Sequence, residues 1–202
     1  TTDGTTSCTK ESTVSNVTVD AMPISTLSVS DATICQGSSA TITVSSSESG
    51  YSYQLRNDAD DSSVGSPVTG TGSDITFSVT PSSTTTYNVL VTNGVCIEEL
   101  SDQSTVTVNA LPTITGTSTV CVGSTVTLTG SGTPAGSTPW ASSDASVATI
   151  TSSGVVTGVA AGTTTITYTN DNGCSITETV TVNALPTITG TSTVCVGSTV
   201  TL

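Results

Sequence analysis

The side chains in this sequence with chemical potential are carboxylates and cysteines. Three aspartates, Asp58, Asp60 and Asp61, crowd the stretch RNDADDSS. Calcium takes roughly six to eight oxygen ligands from carboxylates and carbonyls, so these three are the candidate calcium ligands, although their spacing is not that of a helix-loop-helix calcium loop. A solvated loop is the simpler reading of such a charge run, and it is the one preferred here. Two carboxylates facing each other across a cleft can hydrolyse a glycoside. The rest of the acid-base repertoire is thin: there is no His, one lysine (Lys10) and one arginine (Arg56). Without an imidazole, and with one amine, there is little to activate a Ser, Cys or Thr nucleophile. No catalytic residue is assigned, and the expectation is a protein that is not an enzyme. The six cysteines show no CxxC spacing and have no His to complete a zinc site.

The totals narrow the elements that hold these residues. A chain of 202 residues accommodates two small domains. Apolar residues make up 34% but aromatics only 3%, so each core must be aliphatic and thin, with one or two rings apiece. Thr, Ser and Val dominate, and the β-branched members of that set suit a pleated sheet far better than a helix. The mean hydropathy is slightly positive, +0.19, which argues against disorder. A net charge of −13 repels nucleic acid and anionic membrane surfaces. No apolar run approaches the roughly 18 residues of a spanning helix, so direct membrane insertion is not expected, and no signal peptide opens the chain.

A repeat organises the rest. Residues 106–128, VTVNALPTITGTSTVCVGSTVTL, recur letter for letter at 180–202, 74 residues on. A looser copy of the junction, VTVDAMPIS, stands at 17–25. Each junction runs an alternating strand into a proline (Pro23, Pro112, Pro186) that cannot donate to a ladder and so should close one domain and open the next. The expected divisions are a closing strand at 1–22, domains at 23–110 and 111–184, and opening strands at 185–202. Alternating segments place strands near 24–30, 40–46, 51–56, 74–79, 85–92 and 95–108. In the second domain they fall near 113–118, 124–129, 137–142, 147–150, 154–158, 163–169 and 174–182. Turn signals between them have the spacing of a β-sandwich. Asn93-Gly94 and Asn172-Gly173 are expected as tight hairpin turns.

The cysteines fall in two registers. Cys8, Cys96 and Cys174 open a last strand, and Cys35, Cys121 and Cys195 precede a Gly-Ser turn. The domain division favours Cys35 with Cys96 and Cys121 with Cys174, leaving Cys8 and Cys195 unpaired by truncation. The rival scheme bridges junctions, Cys8 with Cys35, Cys96 with Cys121, and Cys174 with Cys195. It is disfavoured because cysteines whose Cα atoms lie beyond about 7 Å cannot be joined. Disulfides of either kind belong outside the cytosol. Lys10 being the sole lysine, no Lys-Asn isopeptide bond can form inside either complete domain.

The segment WASSDASVATITSSGVVTGVAAGTTTITYT at 140–169 resembles the bacterial Ig-like group 2 module, and the resemblance covers nearly all of 112–183. It implies a β-sandwich with Trp140 on a central strand over the core. A sugar-stacking Trp is the alternative reading. CQGSSATITV (35–44), TPSSTTTYNVLVTNGVC (80–96) and VTVNALP (106–112) resemble the PKD-like or Ig-like repeats of large Bacteroidota surface proteins. That resemblance implies type IX export and a place in long adhesins such as those of gliding motility. The expected fold is therefore all-β, tandem immunoglobulin-like β-sandwiches. The expected function is a stalk or spacer in an extracellular cell-surface adhesin or filament. Its partners would be neighbouring repeats of the same chain, with glycans or other cells reached through other domains. Two alternatives stand beside it: spacer modules of a secreted polysaccharide-degrading enzyme, and a filament subunit that assembles by strand complementation. No cofactor is expected, calcium excepted.

Overall fold

The computed structural model describes residues 18–201, and every regular element in that range is a strand. The described chain divides into two compact units. One holds the residues up to Ser30 with Ile42–Phe77 and Thr86–Ser104; the other holds Asp31–Thr41, Ser78–Thr85 and the residues from Thr105 on. Each is built from immunoglobulin-like sheet.

Strands β1 (Ala32–Cys35), β2 (Ala40–Val44), β3 (Ser52–Asn57), β4 (Val68–Thr69), β5 (Ile75–Val79), β6 (Thr85–Thr92), β7 (Ile97–Glu99) and β8 (Ser104–Asn109) come from the first repeat. Period-two alternation decides their faces. In β2 the side chains of Ala40, Ile42 and Val44 are buried and Thr41 is exposed, and in β5 Ile75, Phe77 and Val79 are buried between exposed Thr76 and Ser78. β6 pairs antiparallel with β3, setting Tyr53 opposite Val91 and Leu55 opposite Val89, all four fully buried. Three buried rings, Tyr53, Phe77 and Tyr87, fill this core, one more than the composition suggested.

The second repeat supplies β9 (Ile114–Gly116), β10 (Thr119–Cys121), β11 (Thr125–Gly130), β12 (Trp140–Ser142), β13 (Ala148–Ile150), β14 (Val155–Gly158), β15 (Gly162–Thr169) and β16 (Ser175–Asn183). They form two four-stranded sheets, ordered β10-β16-β15-β12 and β13-β14-β11-β9. Val120, Leu128, Ala148, Val156, Ile166, Val180 and Val182 make the core between them.

Both repeats share one departure from all-antiparallel pairing. β1 lies parallel to β8, Ala32 opposite Val106 and Cys35 opposite Asn109, and β10 lies parallel to β16, Thr119 opposite Thr181 and Cys121 opposite Asn183.

Several expectations need correction. Residues 24–30 form no strand beyond an isolated bridge between Val29 and Val44; the first strand among the described residues is β1, which hydropathy missed. The long segment at 95–108 is two strands, because Asp102 turns aside to accept a hydrogen bond from the Val29 amide at 2.8 Å. The hairpins are wider than a two-residue Asn-Gly turn. Thr92 pairs with Ile97, leaving four residues, and Thr169 pairs with Ser175, leaving five. The loops are organised by Asn93 and Asn170, whose side-chain oxygens accept the amides of Cys96 (2.8 Å) and Cys174 (3.0 Å). The glycines supply left-handed backbone, with φ of 94° at Gly94 and 76° at Gly173. Pro23 and Pro112 are both buried, and Pro112 stands between the end of β8 and the start of β9. The expected closing strand at 1–22 lies mostly outside the described residues, and 184–201 contain no strand.

Gly154 shows how closely neighbouring backbones approach within one sheet. Its φ is 85°, and a Cβ there would lie 2.2 Å from the Leu128 carbonyl oxygen, whereas Gly123, at φ 78°, has nothing within 4 Å. Gly154→Ala should therefore lose at least about 2 kcal/mol by urea unfolding, against about 1 kcal/mol for Gly123→Ala. Equal losses would show that the backbone conformation alone sets the cost.

Candidate functional site

The acidic cluster is part of a polar patch centred on the single arginine. Arg56 on β3 and Asn88 on β6 are register partners, and Asn88 is only 2% exposed. The Arg56 Nε donates to the Asn88 Oδ1 at 2.9 Å, and its Nη2 pairs with Asp61 at 3.3 Å and with Glu99 on β7. The Asn88 Nδ2 donates to Asp61 (2.9 Å) and reaches Asp58 at 3.4 Å, while Gln103 donates to Asp58 at 2.5 Å. Asp60 turns the other way and accepts both the hydroxyl (2.6 Å) and the amide (3.1 Å) of Ser62.

Asp58 and Asp61 thus share the Asn88 amide as donor while Asp60 turns to Ser62, so the three do not converge on a common point. Among the described residues no group of three or more His, Cys, Asp or Glu side chains is arranged to hold a metal ion. Asp58 and Asp61 satisfy a buried amide, and Asp61 also a mostly buried guanidinium, a structural task with a large penalty if left undone. The Ser62 hydroxyl, and then its amide, hold the Asp60 carboxyl below the usual aspartate range. Asp144 repeats the device with Ser146, whose hydroxyl and amide lower its titration in the same way.

Trp140 does not occupy a central strand. β12 is only three residues long and ends its sheet, so the indole is half-buried at an edge and not covered on both sides. It packs against the rim of the core and against Tyr168, ring centroids 4.6 Å apart and planes 46° from one another. The two rings, with Leu128, Gly130, Pro134 and Ser153, line an open recess of about 180 Å³. The tilt gives no flat platform for a sugar face, and no carboxylate or cation lines the recess.

The cysteines depart from both expected schemes. Cys35 is bonded to Cys174, with Cα atoms 5.6 Å apart, and the bridge lies within the second compact unit. Cys96, half-buried, and the exposed Cys121 and Cys195 are free thiols. The expected Cys121–Cys174 pair fails on register. Cys121 is level with Asn183 at the last residue of β16, whereas Cys174 precedes its first residue. Nine residues at about 3.3 Å each put the two cysteines roughly 30 Å apart along the sheet. With Cys174 holding Cys35, the Cys35–Cys96 pair is also not formed. Cys8 lies outside the described residues. The sequence carried no signal of this, because the pairing that sets Cys121 level with Asn183 joins strands far apart in the chain.

Two outcomes follow. The Asp60 carboxyl should titrate below about 3.9, the ordinary aspartate value, in a carboxyl-carbon NMR titration, and Ser62→Ala should bring it back up. Because its pKa is lowered on folding, its share of stability is present above that ordinary value and fades as pH falls through the folded one. Second, the bridge encloses a sequence separation of 139 residues. Pulling the chain by its ends should release about 460–500 Å more contour length after reduction or in Cys35→Ser than in the oxidised protein. Equal lengths would mean that Cys35 and Cys174 are not bonded.

Comparison with known proteins adds the following. Residues 113–182 match the family model of the bacterial Ig-like domain (group 2), and residues 25–110 match a domain of unknown function (DUF8696). No curated protein matches the sequence. Among solved structures, invasin, titled a bacterial integrin-binding protein, aligns with a TM-score of 0.53 at 20% identity, over 83% of this chain and 41% of its own. A C-terminal 282-residue fragment of intimin, solved with the intimin-binding domain of its translocated receptor, aligns at 0.46 and 21% identity, over 78% of this chain and 63% of its own. The titin I-band fragment I67–I69 aligns at 0.43 and 13%, over 82% of this chain and 66% of its own. The invasin likeness is one of fold: the chain carries tandem Ig-like sandwiches, and residues 113–182 of the second are similar in sequence to the bacterial Ig-like group 2 domain.

Proposed function

We propose that this chain is a spacer segment of a long extracellular adhesin or filament, with its repeats divided at 23–110 and 111–184. The carrying observation is the letter-for-letter sequence repeat, which runs across a junction from one repeat's last strand into the next repeat's opening strands. The 23 residues that recur letter for letter at 106–128 and 180–202 are, in their first copy, the end of one repeat's last strand and the opening strands β9 and β10 with the first four residues of β11. Duplication at a fold boundary adds whole modules and leaves each core intact, which suits an array whose product is length.

The remaining observations support the same reading. The polar patch around Arg56 satisfies itself and leaves no carboxylate pair facing a cleft. The Trp140 recess is shallow and uncharged. A disulfide suits an oxidising compartment, outside the cytosol. Negative charge without compensating cations limits lateral association between like chains. The PKD-like character of the first repeat and a Bacteroidota type IX export route belong to this reading as its finer part. Adhesive specificity would then lie in other domains of the parent polypeptide.

The test is the size and place of the native polypeptide. An antibody raised against residues 23–184 should label unpermeabilised source cells and recognise a very large product. Mass spectrometry of that product should find the peptide TSTVCVGSTVTL in several copies per chain. A product of ordinary enzyme size carrying hydrolase peptides would make these domains linkers of a secreted enzyme and overturn the proposal.

A further inference from the structure

Each repeat carries one cysteine in each of two structurally defined places. Cys35 and Cys121 both end the strand that runs parallel to the repeat's last strand, opposite Asn109 and Asn183 respectively. The residue after each donates its amide to that asparagine's carbonyl, Gln36 to Asn109 at 2.8 Å and Val122 to Asn183 at 3.0 Å. Cys96 and Cys174 both close a hairpin loop with their amides held by Asn93 and Asn170. The one disulfide among the described residues joins the first kind of cysteine, from the first repeat, to the second kind, from the second repeat. The equivalent thiols at the remaining positions, Cys121 and Cys96, are free.

The surroundings of Cys96 add a second observation. Its Sγ lies 3.8 Å from the carbonyl oxygen of Asp20, and the Asn93 side chain donates to the neighbouring Ala21 carbonyl at 2.9 Å. Asp20 holds in VTVDAMP the position that Asn109 holds in VTVNALP. Asn109 is the residue beside which Cys35 sits. A cysteine placed beside Asp20 as Cys35 is placed beside Asn109 would arrive next to the Cys96 thiol.

We propose that the disulfides of this protein are laces between consecutive repeats: the cysteine of each Cys-x-Gly-Ser turn bonds the hairpin cysteine of the next repeat in the same polypeptide. Cys35–Cys174 is one such lace. Cys121 is the open half awaiting a following repeat, and Cys96 is the open half awaiting a preceding one. Closing each lace removes two electrons and two protons from two thiols, and a small-molecule disulfide such as glutathione disulfide accepts them. One thiolate attacks the oxidant and expels a thiol, and the partner thiolate attacks the mixed disulfide and expels the second. A fully laced array has no repeat that can be pulled from its neighbour without breaking a covalent bond.

The test replaces residues 186–202, of which 186–201 form no strand, with a second copy of residues 23–110, so that a first-type repeat follows the second. Cys96 of the leading copy and the appended copy of Cys35 are changed to Ser, which makes every remaining cysteine peptide unique. The protein is oxidised in a glutathione redox buffer, and the monomer is mapped without reduction. The expected bonds are Cys35–Cys174 and Cys121 to the appended Cys96, each near one per chain, with Cys8 free. Cys121→Ser in that chain should leave the appended thiol fully alkylated. A map in which Cys35–Cys174 forms while Cys121 or the appended Cys96 stays free overturns the proposal. So does a Cys121–Cys174 bond, a bond between chains only, or the absence of Cys35–Cys174 itself.

Discussion

In both repeats a sheet edge is closed by a short strand laid parallel to the repeat's last strand, and much else in the structure depends on that pairing. β1 on β8 and β10 on β16 cover backbone groups that would otherwise be an open template for another chain. Parallel pairing also dictates an address. Because both strands run the same way, the residue that ends the short strand is carried to the far end of the long one, where the next repeat begins. The cysteine therefore stands at a pole and not over the core. Arranged antiparallel, the same sequence would have turned that thiol towards its own hairpin.

The identical 23-residue segments make the role of pairing visible. In the first copy Val120 is 4% exposed in β10, whereas its duplicate Val194 is 52% exposed in a stretch without strands. Intrinsic propensity is the same for both, residue by residue. What differs is that 119–121 and 125–130 find β16 and β14 as partners, and 193–195 and 199–201 pair with nothing among the described residues. β-propensity is chiefly the fit of a side chain to a half-buried pleat, so a strand sequence without a neighbour is not yet a strand.

That dependence also marks how far the sequence could be read. Long alternating segments such as β6 and β15 were legible, since their period alone buries Val89, Val91, Ile166 and Tyr168. Short strands at the edges were not: Ala32–Cys35, Thr119–Cys121 and Val68–Thr69 hold too few residues for a period to show. The hairpins misled because Asn-Gly pairs mark loops of several widths, and the side-chain caps from Asn93 and Asn170 that fix those widths act over three and four residues. The acidic stretch was correctly placed in a loop. Its work, satisfying Arg56 and Asn88, depends on β3 lying beside β6, a neighbour relation no local pattern encodes. Trp140 was misplaced by one strand for the same reason.

The placing of Arg56 has a consequence beyond packing. From Asn57 to Leu202 the chain contains neither lysine nor arginine. The one basic residue of the described range has its side chain only 15% exposed, in a strand hydrogen-bonded on both sides by β4 and β6. A protease must draw several residues into an extended conformation to cut, and the Arg56–Asn57 bond is already committed to a sheet. To digestive enzymes that recognise a basic side chain, residues 18–201 therefore present a single bond, and the fold keeps it paired in the sheet and away from the protease cleft that cleavage needs.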